Sequence, residues 1–286
     1  YPPEKFCRQY FNCIGLVNPS MTCYLNSLIQ CLFHLKKFRE TVFSWQDTKS
    51  GIANAMRVLF TRMQVSYVPV STKDLTTAFG WNGSDLFIQH DVQELTRILF
   101  SRLDDVTNNS ASRIFKGKNE ESLITSQFQK SSTEDFSDLS LTVNGVSSLE
   151  ESLNKYYEPD KLTGDDQYKL EDGTKVDAEV RTKVIENPTI LSFHLRRFEY
   201  STEMMKVYSR FEYGESLVFN DEEYELLSII AHNGSVRGGH YNAFVKIDGN
   251  WTIFDDECVR HCETYEALDQ NFGSDEKGQF TAYVLF

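Results

Sequence analysis

The stretch GLVNPSMTCYLNSLIQ, residues 15–30, contains the features on which the interpretation of this 286-residue chain depends. Pro19 interrupts regular structure, and the apolar residues after Cys23 recur at helical spacing. We therefore predict a helix that begins near Cys23, with Thr22 as its N-cap. The free N–H groups of a first helical turn and the positive end of its dipole favour a thiolate, the nucleophilic form of cysteine. Asn18 can add an amide donor for a developing oxyanion.

A second distinctive stretch, GGHY at residues 238–241, follows more than two hundred residues later. The paired glycines indicate either a positive φ or the close approach of another backbone, although an ordinary loop is the alternative. The alternating apolar residues that follow predict a strand, and Asp248-Gly249 predicts a hairpin turn.

The length of that turn decides which carboxylate can orient His240. With a two-residue turn Ile247 faces Asn250, which places Asp255 on the same face as His240 and Asp256 on the opposite face. A three-residue turn would exchange the two carboxylates. Asp255 is therefore the preferred carboxylate partner of His240, and Asp256 is the alternative.

Taken alone, Cys23 fits a small buried core residue about as well as a nucleophile. Cys31, which lies among apolar neighbours of the same predicted helix, illustrates that ordinary case. Cys23 together with His240 and Asp255 indicates a thiol protease.

Four segments, in the same order along the chain, resemble the motifs of the ubiquitin-specific protease family of deubiquitinating enzymes. They are the cysteine box at 15–30, QHDVQEL at 89–95, LRRF at 195–198 and the histidine box at 238–241. Some variants look most like the branch that contains ubiquitin-specific protease 47. These variants are Val17, Met21, Leu25 and FGW at 79–81.

The resemblance implies a role for each matching residue. Cys23 matches the nucleophile, His240 the general base, Asp255 the orienting carboxylate and Asn18 the oxyanion donor. The residues that match the binding site for the extended ubiquitin tail are Asp91, Gln93, Phe198, Tyr200, Tyr241 and Gly239. From the residues alone, Asp91 and Gln93 fit a solvated helix start equally well, and the aromatic residues fit sheet packing.

The chain departs from the family pattern at two places. Many members carry two Cys-x-x-Cys pairs for a structural zinc, but the matching stretches 123–128 and 168–173 contain no cysteine or histidine. A closed zinc site is therefore not expected there, and packing must hold this region. Ser20 also replaces a common glycine or alanine. Cys258, His261 and Cys262 lack a fourth ligand, so we predict neither a metal nor another cofactor.

Composition limits the class of protein. The chain has 29 basic and 42 acidic residues and a net charge of −13, which argues against nucleic-acid binding and suits a partner with a basic face. Six cysteines in so long a chain do not indicate a disulfide framework. With no signal peptide and no apolar run near the ~20 residues that span a membrane, we expect a cytoplasmic protein, with the nucleus as a second location. Because the chain starts with Tyr1, we expect a fragment of a longer protein.

Helical patterns precede antiparallel strand patterns along the chain, which predicts an α+β fold. The resemblance implies a papain-like design of one monomeric catalytic domain over residues 1–286. Its parts would be a helical thumb at about 14–113, β fingers at 114–180 and a β-sheet palm at 181–286. The expected function is hydrolysis of the isopeptide bond at the ubiquitin C-terminus, with ubiquitin and ubiquitinated proteins as partners. The alternatives are a catalytically weak ubiquitin-binding scaffold, a general papain-like peptidase and an enzyme for a ubiquitin-like modifier.

Overall fold

The computed structural model describes residues 13–45, 51–81, 91–200, 202–236, 238–274 and 280–286, and every structural statement below refers to them. Gln89 and His90 of the QHDVQEL motif, and also Cys7, lie outside these ranges. The helices are α1 (Cys23–His34), α2 (Lys36–Ser44), α3 (Ile52–Val65), α4 (Lys73–Ala78), α5 (Val92–Thr107), α6 (Leu149–Tyr156) and α7 (Thr264–Ala267).

The strands are β1 (Leu16–Val17), β2 (Val70–Ser71), β3 (Gly117–Thr125), β4 (Gln129–Phe136), β5 (Leu139–Thr142), β6 (Asp160–Leu162), β7 (Tyr168–Lys169), β8 (Lys175–Val176), β9 (Ala178–Glu186), β10 (Phe193–Arg196), β11 (Phe198–Tyr200), β12 (Met204–Lys206), β13 (Ser216–Phe219), β14 (Glu222–Glu225), β15 (Ser228–Ser235), β16 (Gly238–Ile247), β17 (Asn250–Asp255), β18 (Cys258–Cys262) and β19 (Thr281–Leu285). Helices therefore dominate the first part of the chain and strands the rest, which confirms the predicted α+β class.

Helix α1 is the centre of the helical layer. Its apolar residues Leu25, Leu28 and Ile29 are fully buried, and even its polar residues Asn26 and Gln30 are almost inaccessible to solvent. The helix is enclosed on all sides because it packs against α2 and α5 as well as against strands β15, β16 and β17. A polar side chain on such a helix must find hydrogen-bond partners inside the protein.

The main sheet has the strand order β18-β17-β16-β15-β19-β10-β5. Its neighbours pair antiparallel except β10 and β5, which are parallel. Tyr241, Ala243 and Val245 of β16 join the core shared with the helices, whereas Phe244 joins a second core on the other face. This alternation places α1, the helix that begins with Cys23, directly against the strand that begins with the histidine box.

The outer sheet, which we define as β4, β3, β9 and β6 in that order, is antiparallel. The turn between β3 and β4 and the β7–β8 hairpin correspond to the two stretches that lack cysteine and histidine. The rings of Phe128 and Tyr168, one from each stretch, meet edge to face with their centroids 6.2 Å apart. Aromatic packing thus joins the two stretches.

No helix among the described residues is both long enough and apolar enough to cross a lipid bilayer.

Candidate active site

Cys23 is the first residue of α1, as predicted, and is 4% exposed. Thr22 occupies the N-cap position, but its side chain does not cap the helix. The Thr22 hydroxyl instead donates to Oδ1 of Asn18 at 3.1 Å, so it organises the preceding loop. The sulfur of Cys23 therefore lies at the end of the helix where backbone N–H groups are exposed to a ligand.

The histidine-bearing hairpin has the two-residue turn that was predicted. Ile247 pairs with Asn250, and the same register continues to Ala243 opposite Phe254. Asp248 has a φ of 49° and Gly249 a φ of 82°, which is the pair of positive φ values that a tight type I′ turn requires.

This register brings His240 and Asp255 together. Nε2 of His240 lies 2.6 Å from Oδ1 of Asp255. The hydrogen bond to Asp255 and a second one to Cys23 raise the pKa of His240 to about 10. With Nε2 bound to the carboxylate, Nδ1 is the ring nitrogen left for the sulfur. An imidazolium in that position is the kind of neighbour that favours a thiolate.

Asn242 supports the same pair of residues and is 7% exposed. In the amide orientation that satisfies both of its ends, its nitrogen lies 3.0 Å from Nε2 of His240 and 3.2 Å from Oδ1 of Asp255. The predicted register already placed Asn242 opposite Asp255, so the sequence contained the signal for this contact.

Asp256 does not point to the opposite face, and that prediction is wrong. Strand β17 ends at Asp255, and Asp256 has a φ of 50°, so the alternation of a strand no longer applies to it. Its carboxylate accepts from Nδ2 of Asn18 and from Nδ2 of Asn26, both at 2.8 Å. Ligand atoms of His240, Asp255 and Asp256 lie within 4.8 Å of one another, and hydrogen bonds engage all three side chains.

No metal-binding group of the described residues includes Cys258, His261 or Cys262. The three residues lie along one extended strand, β18, where successive side chains alternate between the two faces.

Both the oxygen and the nitrogen of the Asn18 side-chain amide form hydrogen bonds. Its Oδ1 accepts from the backbone N–H of Ser20 at 3.2 Å and from that of Thr22 at 3.1 Å. Its Nδ2 donates to Asp256. An amide nitrogen carries two N–H groups, so the bond to Asp256 uses one and leaves the other for a substrate oxygen.

The start of the cysteine box packs against the turn that contains Asp256. The N–H of Leu16 donates to the Asp256 carbonyl at 2.8 Å, and a Cβ at Gly15 would overlap the carbonyls of Asp256 and Glu257. Asn26 of α1 also donates to the Val17 carbonyl at 3.3 Å. Asn26 was not predicted as a site residue, although it belongs to the motif that suggested the nucleophile.

Asp91 and Gln93 lie at the start of α5. Asp91 is the N-cap, and its Oδ1 accepts from the N–H of Gln93 at 2.8 Å, while its Oδ2 is bonded by the hydroxyl of Tyr283. Nε2 of Gln93 donates to Asp138 at 2.5 Å and to Ser140 at 2.7 Å. The helix-start interpretation is therefore confirmed for Asp91, and both side chains are fixed by neighbouring strands.

The aromatic residues differ in exposure. Phe198 is half-buried, with its ring 5.6 Å from that of His232 and 5.4 Å from that of Tyr283. Tyr200 is 76% exposed. Tyr241 is only 2% exposed, and its ring centroid lies 4.5 Å from that of His232, so its ring takes part in the sheet packing that the residues alone allow. It belongs to the apolar face of β16 that covers α1.

The two glycines before His240 behave as predicted. Gly238 has a φ of 152°, and a Cβ at Gly239 would collide with the ring of His232 and the carbonyl of Asn233. Close approach of a neighbouring strand is thus the reason for a glycine at 239.

Known proteins share sequence with this chain over nearly its whole length. The family described as "Ubiquitin carboxyl-terminal hydrolase" matches residues 14–286. Similar curated proteins include ubiquitin C-terminal hydrolase 13 of Arabidopsis thaliana, which is 34% identical over 92% of this chain and 26% of its own length. Ubiquitin carboxyl-terminal hydrolase 7 of Caenorhabditis briggsae is 31% identical over 97% of this chain and 28% of its own length. Ubiquitin carboxyl-terminal hydrolase 15 of Schizosaccharomyces pombe is 33% identical over 94% of this chain and 26% of its own length.

The chain thus spans about a quarter of the length of these curated relatives. The family match, together with helices followed by a sheet, confirms the papain-like α+β fold. With its cysteine and histidine boxes brought together at the tip of one helix, the chain belongs to the ubiquitin carboxyl-terminal hydrolase family.

Proposed function

We propose that this chain is the catalytic domain of a deubiquitinase, which hydrolyses the isopeptide bond between the ubiquitin C-terminus and a substrate lysine. The observation that carries the proposal is the position of His240, which is hydrogen-bonded to Asp255 and to Cys23 at the N-terminus of α1. The names of the relatives, all ubiquitin hydrolases, support the same reaction.

The mechanism begins with attack of the Cys23 sulfur on the carbonyl carbon of the terminal glycine. Asn18 and the backbone N–H of Cys23 donate to the oxyanion, and one such donor contributes about 3–4 kcal/mol to transition-state stabilisation. The imidazolium of His240 then protonates the leaving lysine amine as the C–N bond breaks. Water, deprotonated by the now neutral imidazole, hydrolyses the thioester and returns sulfur and imidazole to their starting forms.

We further propose that the ubiquitin tail binds at a site formed by six residues, which are Asp91, Gln93, Phe198, Tyr200, Tyr241 and Gly239. Asp91 provides a carboxylate at the start of α5, which suits the arginine-bearing tail of ubiquitin, whereas the neighbouring Asp138 is paired with Arg97. Phe198 and the exposed Tyr200 supply aromatic surface on the adjacent β11.

The finer assignments are proposals of the same kind. They comprise one catalytic domain with a thumb at about 14–113, fingers at 114–180 and a palm at 181–286, and a place in the branch that contains ubiquitin-specific protease 47. They also comprise a cytoplasmic monomer that acts on ubiquitinated proteins and does not bind nucleic acid. The helices that fall within 14–113 and the outer sheet that falls largely within 114–180 support the division.

The test compares Cys23→Ala with Cys31→Ala. Cys31 is fully buried, and burial raises the pKa of its thiol to about 12, so its removal should cost stability but leave the chemistry intact. We expect Cys23→Ala to abolish cleavage of a ubiquitin–fluorophore conjugate and labelling by electrophile-tipped ubiquitin. Persistent cleavage by Cys23→Ala would refute the mechanism. Binding of ubiquitin by the wild-type chain without an adduct would favour a non-catalytic scaffold, and labelling by a different modifier's probe alone would change the substrate.

A further inference from the structure

Lys206, the last residue of β12, is a buried cation at the edge of the candidate active site. It is 8% exposed. Its Nζ lies 2.9 Å from Nδ1 of His232 and donates to the carbonyls of His232 at 3.0 Å and Gly234 at 3.1 Å. In the described part of the chain no carboxylate forms an ion pair with this ammonium.

These contacts tie β12 to the end of β15. Tyr208 adds a second connection, since its hydroxyl donates to the Gly234 carbonyl at 3.0 Å. In its ammonium form Lys206 can only donate, so Nδ1 of His232 is then the acceptor and Nε2 carries the hydrogen of the neutral ring. Burial and the neighbouring Lys206 both lower the pKa of His232, to about 3, which keeps the ring neutral.

The His232 ring in turn lies against the segment that carries His240. Gly239 has no room for a Cβ because Nε2 of His232 and the Asn233 carbonyl occupy that space. The strands are paired here, with Asn233 opposite His240 and Gly234 opposite Gly239. On its other side the ring contacts Phe198, which pairs with Lys206 between β11 and β12.

We propose that Lys206 is a positioning residue for His240: its ammonium fixes the His232 ring, and that ring fixes the Gly239–His240 segment relative to Cys23. The same contacts hold Phe198 beside the proposed tail site. The inference deepens the proposed function and rests on it.

The burial of Lys206 favours a positioning role over a contribution to the stability of the fold. Desolvation, and secondarily the charge of Arg197, lower the pKa of Lys206 to about 7, which means that the folded protein disfavours the charged form. The charged and titratable groups around it are Arg197 before β11, Tyr208 after β12, His232 on β15 and, beyond His232, His240 on β16. Burial thus disfavours the ammonium form, yet Nζ makes three directed contacts beside the segment that carries His240, which favours a role in geometry.

The pH dependence has a definite sign. Between the folded pKa near 7 and the unfolded value near 10.5, the unfolded chain binds more protons at Lys206 than the folded chain does. Stability therefore rises with pH through this window, and the destabilising effect of the ammonium is fully present below pH 7. Lys206→Met should be at least as stable as the wild type at pH 6, and this advantage should shrink towards pH 10.

The experiment compares Lys206→Met with Lys246→Met, using cleavage of ubiquitin–fluorophore, thermal unfolding at pH 6 and pH 9.5, and alkylation of Cys23 by iodoacetamide. Lys246 lies on the same strand as His240 but pairs with Glu215 and Glu225 at its far end. We expect Lys206→Met to lower kcat by about tenfold or more with KM within about twofold, without a lower Tm at pH 6. We also expect it to slow alkylation of Cys23, whereas Lys246→Met keeps wild-type kcat and alkylation.

A second variant keeps the test decisive if Lys206→Met alone does not fold. His232→Phe combined with Lys206→Met replaces both polar partners by apolar groups of similar shape, a change that is often tolerated. We expect this double variant to fold and to show a kcat as low as that of Lys206→Met. Unchanged kcat, a loss confined to KM, or a loss of kcat matched by loss of folding in both variants would overturn the proposal. Alkylation needs no ubiquitin, so it tests Lys206 even if the wild-type chain fails to cleave ubiquitin and the proposed function falls.

Discussion

Asn18 donates from Nδ2 to Oδ2 of Asp256 at 2.8 Å, across 238 residues of sequence. The carboxylate also accepts from Asn26 of α1, so it joins the loop before Cys23 to the helix that begins with Cys23. Asn18, the proposed oxyanion donor, is therefore oriented by Asp256, a residue in the turn after the histidine-bearing hairpin.

Exchanging the two partners separates the donor role of Asn18 from its role in holding the loop. Asn18→Asp should lower kcat about 10²–10³-fold, because the oxyanion donor is lost and two carboxylates are placed together. Asn18→Asp combined with Asp256→Asn restores the hydrogen bond with its polarity reversed, and the introduced amide can still accept from Asn26. We expect the double variant to recover stability but not kcat, as measured by chemical denaturation and by cleavage of ubiquitin–fluorophore. A double variant with wild-type kcat would show that Asn18 only positions the loop.

Asp255→Asn should shift the pH dependence of the reaction. The hydrogen bond to Asp255 is the largest cause that raises the pKa of His240 to about 10, so its loss should lower that pKa. Deprotonation of His240 removes the proton that the leaving amine needs, so the alkaline limb of kcat/KM should move to lower pH. Asp248→Asn, in the turn of the same hairpin, is the control and should keep the wild-type profile. An unmoved alkaline limb in Asp255→Asn would contradict the assigned role.

Gly239→Ala should disturb the site directly. The added Cβ would overlap the His232 ring and the Asn233 carbonyl, and overpacking of this kind costs about 1–3 kcal/mol. We expect a lower Tm and a decrease in kcat/KM of about tenfold or more. Gly249→Ala tests the backbone effect alone, because φ is 82° there but nothing lies within 4 Å of the new Cβ. It should lower stability by about 1 kcal/mol and leave kcat/KM intact. Equal kinetic losses in both variants would argue against a specific clash.

The contact between Phe128 and Tyr168 should contribute to the stability of the outer sheet. A double-mutant cycle with alanine at both positions should give a coupling of about 0.5–1.5 kcal/mol in the free energy of unfolding. Phe128→Ala combined with Tyr265→Ala, on α7, should be additive and serves as the control. A coupling near zero between Phe128 and Tyr168 would mean that other contacts hold these two stretches together.

The relationship between His240 and Asp255 could be predicted from sequence because it depends only on local rules. Asp248-Gly249 specifies a two-residue turn, and the strict alternation of a strand then determines which carboxylate shares a face with His240. The same reasoning failed for Asp256, because alternation ends with the strand. The partners of Asp256 are two amides more than two hundred residues away, and nothing in the local pattern points to them.

Burial accounts for the other residues that sequence reasoning missed. Tyr241 follows His240 and resembles a residue of the tail-binding site, and its place in the alternation puts its ring in the core with α1. Lys206 carries no sequence signal at all, since a lysine at the end of a short strand is ordinarily exposed, as Met204 and Met205 of the same strand are. Its burial depends on the docking of β12 against β15, which only the folded chain reveals.

Through its hydrogen bonds, the carboxylate of Asp256 links the helical layer to the main sheet. Any displacement of α1 from the sheet would break its bonds to Asn18 and Asn26 in the same step that separates Cys23 from His240. The amide of Asn18, the sulfur of Cys23 and the imidazole of His240 would then lose their alignment together rather than one at a time. Contacts that hold the two layers together therefore keep all three groups aligned at once.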